Sequence, residues 1–173
     1  MKLVIFLCLS GMLFHATAAQ AQWVHRDHEN AFDGKRLQVA LIVQGNLAAG
    51  LQCTNADDLE VVFLTPEDVT GDAAEGINFG GPEILLRVDQ NDVHSLQAHA
   101  SEAQGKLLLQ ADAPFRVLEE LIEARSAVSV ALRFLGAVFH ETEFGVMGST
   151  RTLSSLADTC GIDLLHSVVP YMR

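Results

Sequence analysis

Basic residues are scarce in this sequence. Lysine and arginine total 11 against 22 acids, giving a net charge of −11 at pH 7, and they form no cluster. Nucleic acids and anionic surfaces are held by clustered Lys and Arg that neutralise phosphate, so the sequence argues against both as partners. Cysteine is equally scarce, at positions 8, 53 and 160. A structural zinc site needs more sulfur and nitrogen ligands at tight spacing than this chain offers. Long apolar runs are missing too. Leu37 to Val43 and Leu107 to Leu109 fall far short of the roughly 20 residues that span a bilayer.

Motifs that carry chemistry are also absent. There is no G-x-S-x-G, no H-E-x-x-H, and no internal repeat. "NFGGP" at 78–82 is not followed by Lys-Ser/Thr or by a helix start, so its glycines read as turns rather than a phosphate cradle. "DQND" at Asp89 to Asp92 opens like a calcium loop, but the later glycine and the closing Glu are missing. His25 and His28 would share a face only on a helix, which their polar surroundings do not support; a solvated N-terminal segment is expected. His94 and His99 are an odd distance apart and would point to opposite faces of a strand. His140 alternates with Glu141 and Glu143, so it reads as a packing or pocket-wall residue. Neighbouring acids at Asp57-Asp58, Glu67-Asp68 and Glu119-Glu120 read as solvated, because general acid–base pairs face each other across a cleft. No catalytic, cofactor-binding or metal-binding residue is expected.

What is present begins at the N-terminus. "MKLVIFLCLSGMLFHATAAQAQ" runs from one lysine through an apolar stretch, Leu3 to Phe14, into small residues. Ala16-Thr17-Ala18 and Ala19-Gln20-Ala21 both fit signal peptidase, so residues 1–21 read as a secretory signal and 22–173 as one exported domain. A buried N-terminal helix is the alternative. Cys8 lies inside the apolar run with bulky residues before it, which argues against a lipoprotein anchor. Loss of Lys2 takes the net charge from −11 to about −12. Cys53 and Cys160 then remain, and an exported chain with two cysteines most often joins them.

Along the body, "RLQVALIVQG" reads as a buried strand and Gly45 to Gly50 as a loop. Strands are expected on either side of an Asn55–Asp58 turn, with a long glycine-rich surface loop at Gly71 to Pro82. Ile84 to Val88, Val93 to Ala98 and Lys106 to Gln110 read as further strands. The period then turns helical at Phe115, Leu118, Leu121 and Ile122, with Asp112 as a cap and Pro114 in the first turn. Val128, Val130, Leu132 and Phe134 restore alternation. Ser149 can cap a last helix with Leu153, Leu156, Ala157 and Cys160 on one stripe and Gly161 as its stop. "IDLLHSVVPYMR" reads as an apolar tail. The class is α+β: a β-rich antiparallel sheet or sandwich, two short helices in the C-terminal half, and one disulfide, Cys53–Cys160, pinning the last helix to the first hairpin.

The order Trp23, "LQCT", "LLRVD", "FRVLEELIEARSAVSVALRF" and "FGVMGSTRTLSSLADTC" resembles the exported proteins of the type VI secretion-associated VasI/TagO family. The likeness spans most of Cys53 to Cys160 and departs at Phe144 to Gly148, which lacks the family's acidic residue. It implies an exported accessory protein without established chemistry. Three functions follow as expectations. The first is a non-enzymatic periplasmic binding or accessory protein with a protein partner in the cell envelope and no membrane insertion after signal cleavage. The second is an inhibitor of a lysozyme-like cell-wall hydrolase, acting through an inserted loop such as 71–82. The third is a hydrolase whose site is assembled from distant residues.

Overall fold

Alternating apolar residues build most of this molecule. The computed structural model describes residues 21–29 and 36–164, and within them ten strands and three helices form. The signal-like stretch up to residue 20, residues 30–35, where Asp33-Gly34 is a turn signal in the sequence, and the end of the apolar tail beyond residue 164 lie outside the described residues. The strands are β1 (Val24–Glu29), β2 (Arg36–Gln44), β3 (Leu47–Cys53), β4 (Glu60–Asp68), β5 (Glu83–Val88), β6 (His94–Gln97), β7 (His99–Ala103), β8 (Lys106–Asp112), β9 (Ala127–Phe134) and β10 (Ala137–Gly145). The helices are α1 (Gly71–Asn78), α2 (Phe115–Glu123) and α3 (Ser149–Cys160).

Two antiparallel sheets result, one ordered β1-β2-β3-β4-β8-β7 and one ordered β10-β9-β5-β6. β6 and β7 are nearly continuous, and the chain crosses from one sheet to the other at Ala98. On the larger sheet, Ala40, Ile42, Leu51, Cys53, Val61, Phe63 and Leu109 face inward and are buried. α3 lies over β1, β2 and β3 on this face, and α2 packs on α3. The smaller sheet meets the other end through β5 and β6 against β8. Leu118, Leu121, Leu153 and Leu156 are fully buried between these layers, each stabilising by roughly 1.5–3 kcal/mol. The α+β, β-rich, antiparallel architecture read from sequence is the one observed.

The cysteine pairing is observed as well. Cys53 ends β3, Cys160 ends α3, and the two form a disulfide with Cα atoms 6.3 Å apart. Gly161, at φ +74, closes the helix as expected.

Several local expectations are corrected. Residues 24–29 are mostly exposed, as expected, but they are not irregular: they form edge strand β1, paired along its length with β2. Strand pairing needs only the backbone, so polar side chains do not prevent it at an edge. Trp23 anchors this strand: it is buried and its indole N–H donates to Gly145 O at 3.1 Å. The 45–50 loop is only a two-residue turn, Gly45-Asn46, and Leu47–Gly50 belong to β3. Gly45 takes φ +62, the first-position geometry of a tight hairpin turn. Residues 71–78 are helix α1 rather than loop, because Thr70 Oγ1 caps it by accepting from the Ala73 N–H at 3.3 Å. Asp112 ends β8 and does not cap α2, whose cap position is Pro114. Gly148 precedes α3 at φ +82, so Ser149 is the first helical residue and its buried hydroxyl has no partner. A bulge between Phe139 and Thr142 sets His140 at φ +53 and breaks the alternation expected there.

Candidate functional site

The histidines singled out by sequence do not converge. His25 faces inward, with Nε2 2.9 Å from Gln38 Oε1 and Nδ1 3.3 Å from Ser155 Oγ, whereas His28 pairs opposite Leu37 on the other face. His94 Nε2 lies 3.0 Å from Glu120 Oε2, while His99 sits opposite Gln110 on the larger sheet. His140 Nε2 is 3.5 Å from Glu67 Oε1. Among the described residues no group of three or more His, Cys, Asp or Glu is placed to hold a metal ion.

One polar cleft of about 630 Å³ lies between the β5–β6 turn, α2 and the start of α3. Asp89, Asn91, Glu120, Glu123, Arg125 and Thr150 line it. Two of its three carboxylates, Asp89 and Glu120, are occupied. The Asp89 carboxylate accepts from the backbone N–H groups of Arg125 (2.9 Å), Ser126 (2.8 Å) and Ala127 (3.1 Å), and from the Ser126 hydroxyl (2.6 Å). The Ser126 hydroxyl and the Arg125 N–H hold Asp89 well below the usual carboxylate range. Burial pushes Glu120 up, but hydrogen bonds from His94, Asn91 and Arg116 outweigh it and leave the carboxyl below its ordinary value. Thr150, whose hydroxyl lines the cleft, donates to Ile122 O at 2.7 Å. These bonds tie the α2–β9 connection to β5, so the cleft is a structural joint.

The outward face of the six-stranded sheet is different, and its composition follows from register. Residues directly opposite each other on neighbouring strands share a face. Pairing aligns Val43, Ala48, Leu64, Leu108 and Ser101 in one outward row. The next row is Val24, Leu41, Gly50, Val62, Gln110 and His99. The third is Arg26, Val39, Gln52, Glu60 and Asp112. Two rows are thus mostly apolar, on a face that no other element among the described residues covers; Val43 is 51% exposed and Val24 36%, Leu41, Leu64 and Leu108 are half-buried, and Val62 is buried between its neighbours.

Gly50 shapes this face. A Cβ there would run into the carbonyl oxygen of Ala40, so only glycine fits. A hollow of about 460 Å³ lies on this face among Val39, Leu41, Ala48, Val62, Leu64 and Leu108, with Gln52, Gln104 and Lys106 as its polar lining. Beside it a polar hollow of about 430 Å³ is lined by Glu60, Gln97, His99, Gln110 and Asp112. Glu60 is held by Gln52, whose Nε2 donates at 2.6 Å, and by Gln110 at 3.4 Å. Phe79 and Leu135 are more exposed than any apolar residue of these rows but stand at turn ends, and single exposed apolar side chains are ordinary.

Sequence reasoning singled out none of Leu41, Gly50, Val62, Leu64 or Leu108. The available signal was apolar residues at both parities in "VALIV" and "EVVFLT", which marks strands apolar on both faces. Comparison with known protein families, curated proteins and solved structures gives no match.

Proposed function

We propose that this chain is an exported, periplasmic binding protein that holds a protein partner on the outward face of its six-stranded sheet and catalyses no reaction. The observation that carries this reading is the pair of contiguous apolar rows around Gly50. Contiguous exposed apolar area of this kind marks interaction sites, because isolated soluble proteins seldom keep it in water. Export rests on the charge–apolar–small order of residues 1–21, and the Cys53–Cys160 bond is compatible with an oxidising compartment. The resemblance to type VI secretion-associated proteins supports an accessory role in the envelope.

The rival readings have less to stand on. The inhibitor needs a protruding loop at 71–82, but residues 71–78 form α1, packed against β7. The hydrolase needs free acid–base groups facing each other in a cleft; of the three carboxylates lining the polar cleft, Asp89 and Glu120 are engaged in bonds that hold the fold, which leaves Glu123 without a free carboxylate to oppose.

The test is capture from envelope extract with the oxidised mature protein, beside a Val43→Ser/Leu64→Ser variant whose circular dichroism matches the parent. A protein captured by the parent and lost with the variant is the expected result. The same captured proteins with both would contradict the reading.

A further inference from the structure

We propose that residues 165–173 of this chain cover the apolar hollow of the outward face until a partner displaces them. The cover stands on its own observations; its displacement rests on the reading of this face as the binding surface.

The described chain stops beside this face. The disulfide fixes the end of α3 to the end of β3, and Ile162, just past the Gly161 stop, is buried. Ile162 lines a hollow of about 370 Å³ with Leu59, Phe115 and Asp112, and Leu164 packs against the core. Asp112 also lines the polar hollow of the outward face, beside Glu60. Glu60 accepts from Gln52, and Gln52 lines the apolar hollow. Lining residues thus lead without a break from Ile162 to Val62 and Leu108. The length suffices: Asp112 and Leu108 are four residues apart on β8, about 13 Å, and nine extended residues reach about 30 Å.

Composition and tether choose this occupant. In "LHSVVPYMR", residues Leu165, Val168, Val169, Pro170, Tyr171 and Met172 are apolar, so the pattern that packs Ile162 and Leu164 continues to Met172. Apolar side chains leave water for apolar surface within reach. Charge does not choose, because the face carries Arg26 and Lys106 as well as Glu60 and Asp112. A segment on a short tether meets the hollow at about millimolar effective concentration, roughly a thousandfold above a second copy at micromolar concentration. A dissociation constant of about 0.1 mM for the free segment then covers the face about nine-tenths of the time and weakens a partner's apparent affinity about tenfold.

The test uses the oxidised mature protein and a labelled peptide of the sequence LHSVVPYMR, read by fluorescence anisotropy. The full chain carrying Val168→Ser/Val169→Ser/Tyr171→Ser/Met172→Ser, with the circular dichroism of the parent, should bind the peptide saturably. The parent, whose own segment competes, should bind it about tenfold more weakly. Adding Val43→Ser/Leu64→Ser to the serine variant should abolish binding. A second readout leaves the segment unaltered: a photoreactive amino acid at Ala48, which lines the hollow, should form an adduct with residues 165–173 of the same chain in dilute purified protein. Equal binding by parent and serine variant, no saturable binding, or binding that survives Val43→Ser/Leu64→Ser overturns the inference. So does an Ala48 adduct to a second copy, or none. If the peptide fails to bind but envelope capture still depends on Val43 and Leu64, the binding face stands and only its cover falls. If the peptide and the adduct behave as expected but neither protein captures an envelope partner, the cover stands and the partner reading falls.

Discussion

The side chain of Asn78 stands in for a missing strand beside Ala100. Its Oδ1 accepts from the Ala100 N–H at 2.6 Å, and its Nδ2 donates to the Ala100 carbonyl at 2.9 Å. β7 is the end strand of the larger sheet, and α1 covers it with this amide as the hydrogen-bonding group. Uncovered edges invite pairing with other chains, and this one is closed from within. Asn78→Leu should cost about 1–3 kcal/mol, because it leaves the Ala100 backbone groups unpaired. It should also raise the tendency to associate, measurable by urea unfolding and light scattering. An unchanged midpoint would show that the helix alone protects the edge.

The disulfide joins the end of the first hairpin to the end of the last helix across 107 residues. A closed loop of that size stabilises by up to about 4.7 kcal/mol in the chain-entropy model. Reduction, Cys53→Ala and Cys160→Ala should each lower stability by about 2–5 kcal/mol and by similar amounts. Denaturant unfolding with and without reductant measures this. Equal stability in both forms would remove the bond from the account of how α3 is held.

Asp89, at φ +52, holds three successive backbone N–H groups of the α2–β9 connection. Its pKa is depressed in the folded protein, so its contribution is complete above the unfolded value of about 3.9 and is lost as pH falls below it. Asp89→Asn keeps a residue that tolerates positive φ but turns an amide NH2 toward the Arg125 N–H. It should cost about 1–3 kcal/mol at pH 7. The difference between parent and variant should shrink as pH is lowered through 4 toward 2, followed by urea unfolding. A constant difference would assign the loss to packing.

Most of the architecture was legible because it follows from local period. β2, β4, β9, α2 and α3 show their apolar spacing in the sequence, and the two cysteines outside the signal-like stretch allow one bond, Cys53–Cys160. β1 was missed because an edge strand need not be apolar, and α1 because the four glycines between Gly71 and Pro82 mask the Thr70 cap that starts it. The candidate face was missed for a different reason. It exists only when Leu41, Gly50, Val62 and Gln110 are brought into one row, and register between strands is a tertiary property.

Export predicts a processed chain. Intact mass of protein from the periplasmic fraction should correspond to a start near Ala19 or Gln22. A full-length chain, Met1 included, would contradict the compartment and weaken the case for an envelope partner.

Site-specific photo-crosslinking in living cells tests the central claim most directly. Val43 lies on the outward face of the larger sheet and Val138 on β10 of the smaller one, and each is 51% exposed. Equal exposure makes the second a control for chance encounter. A photoreactive amino acid at Val43 should give a discrete heteromeric adduct, and the same group at Val138 should not. An adduct from Val138 alone, or the same adducts from both positions, would contradict the assignment of the binding face.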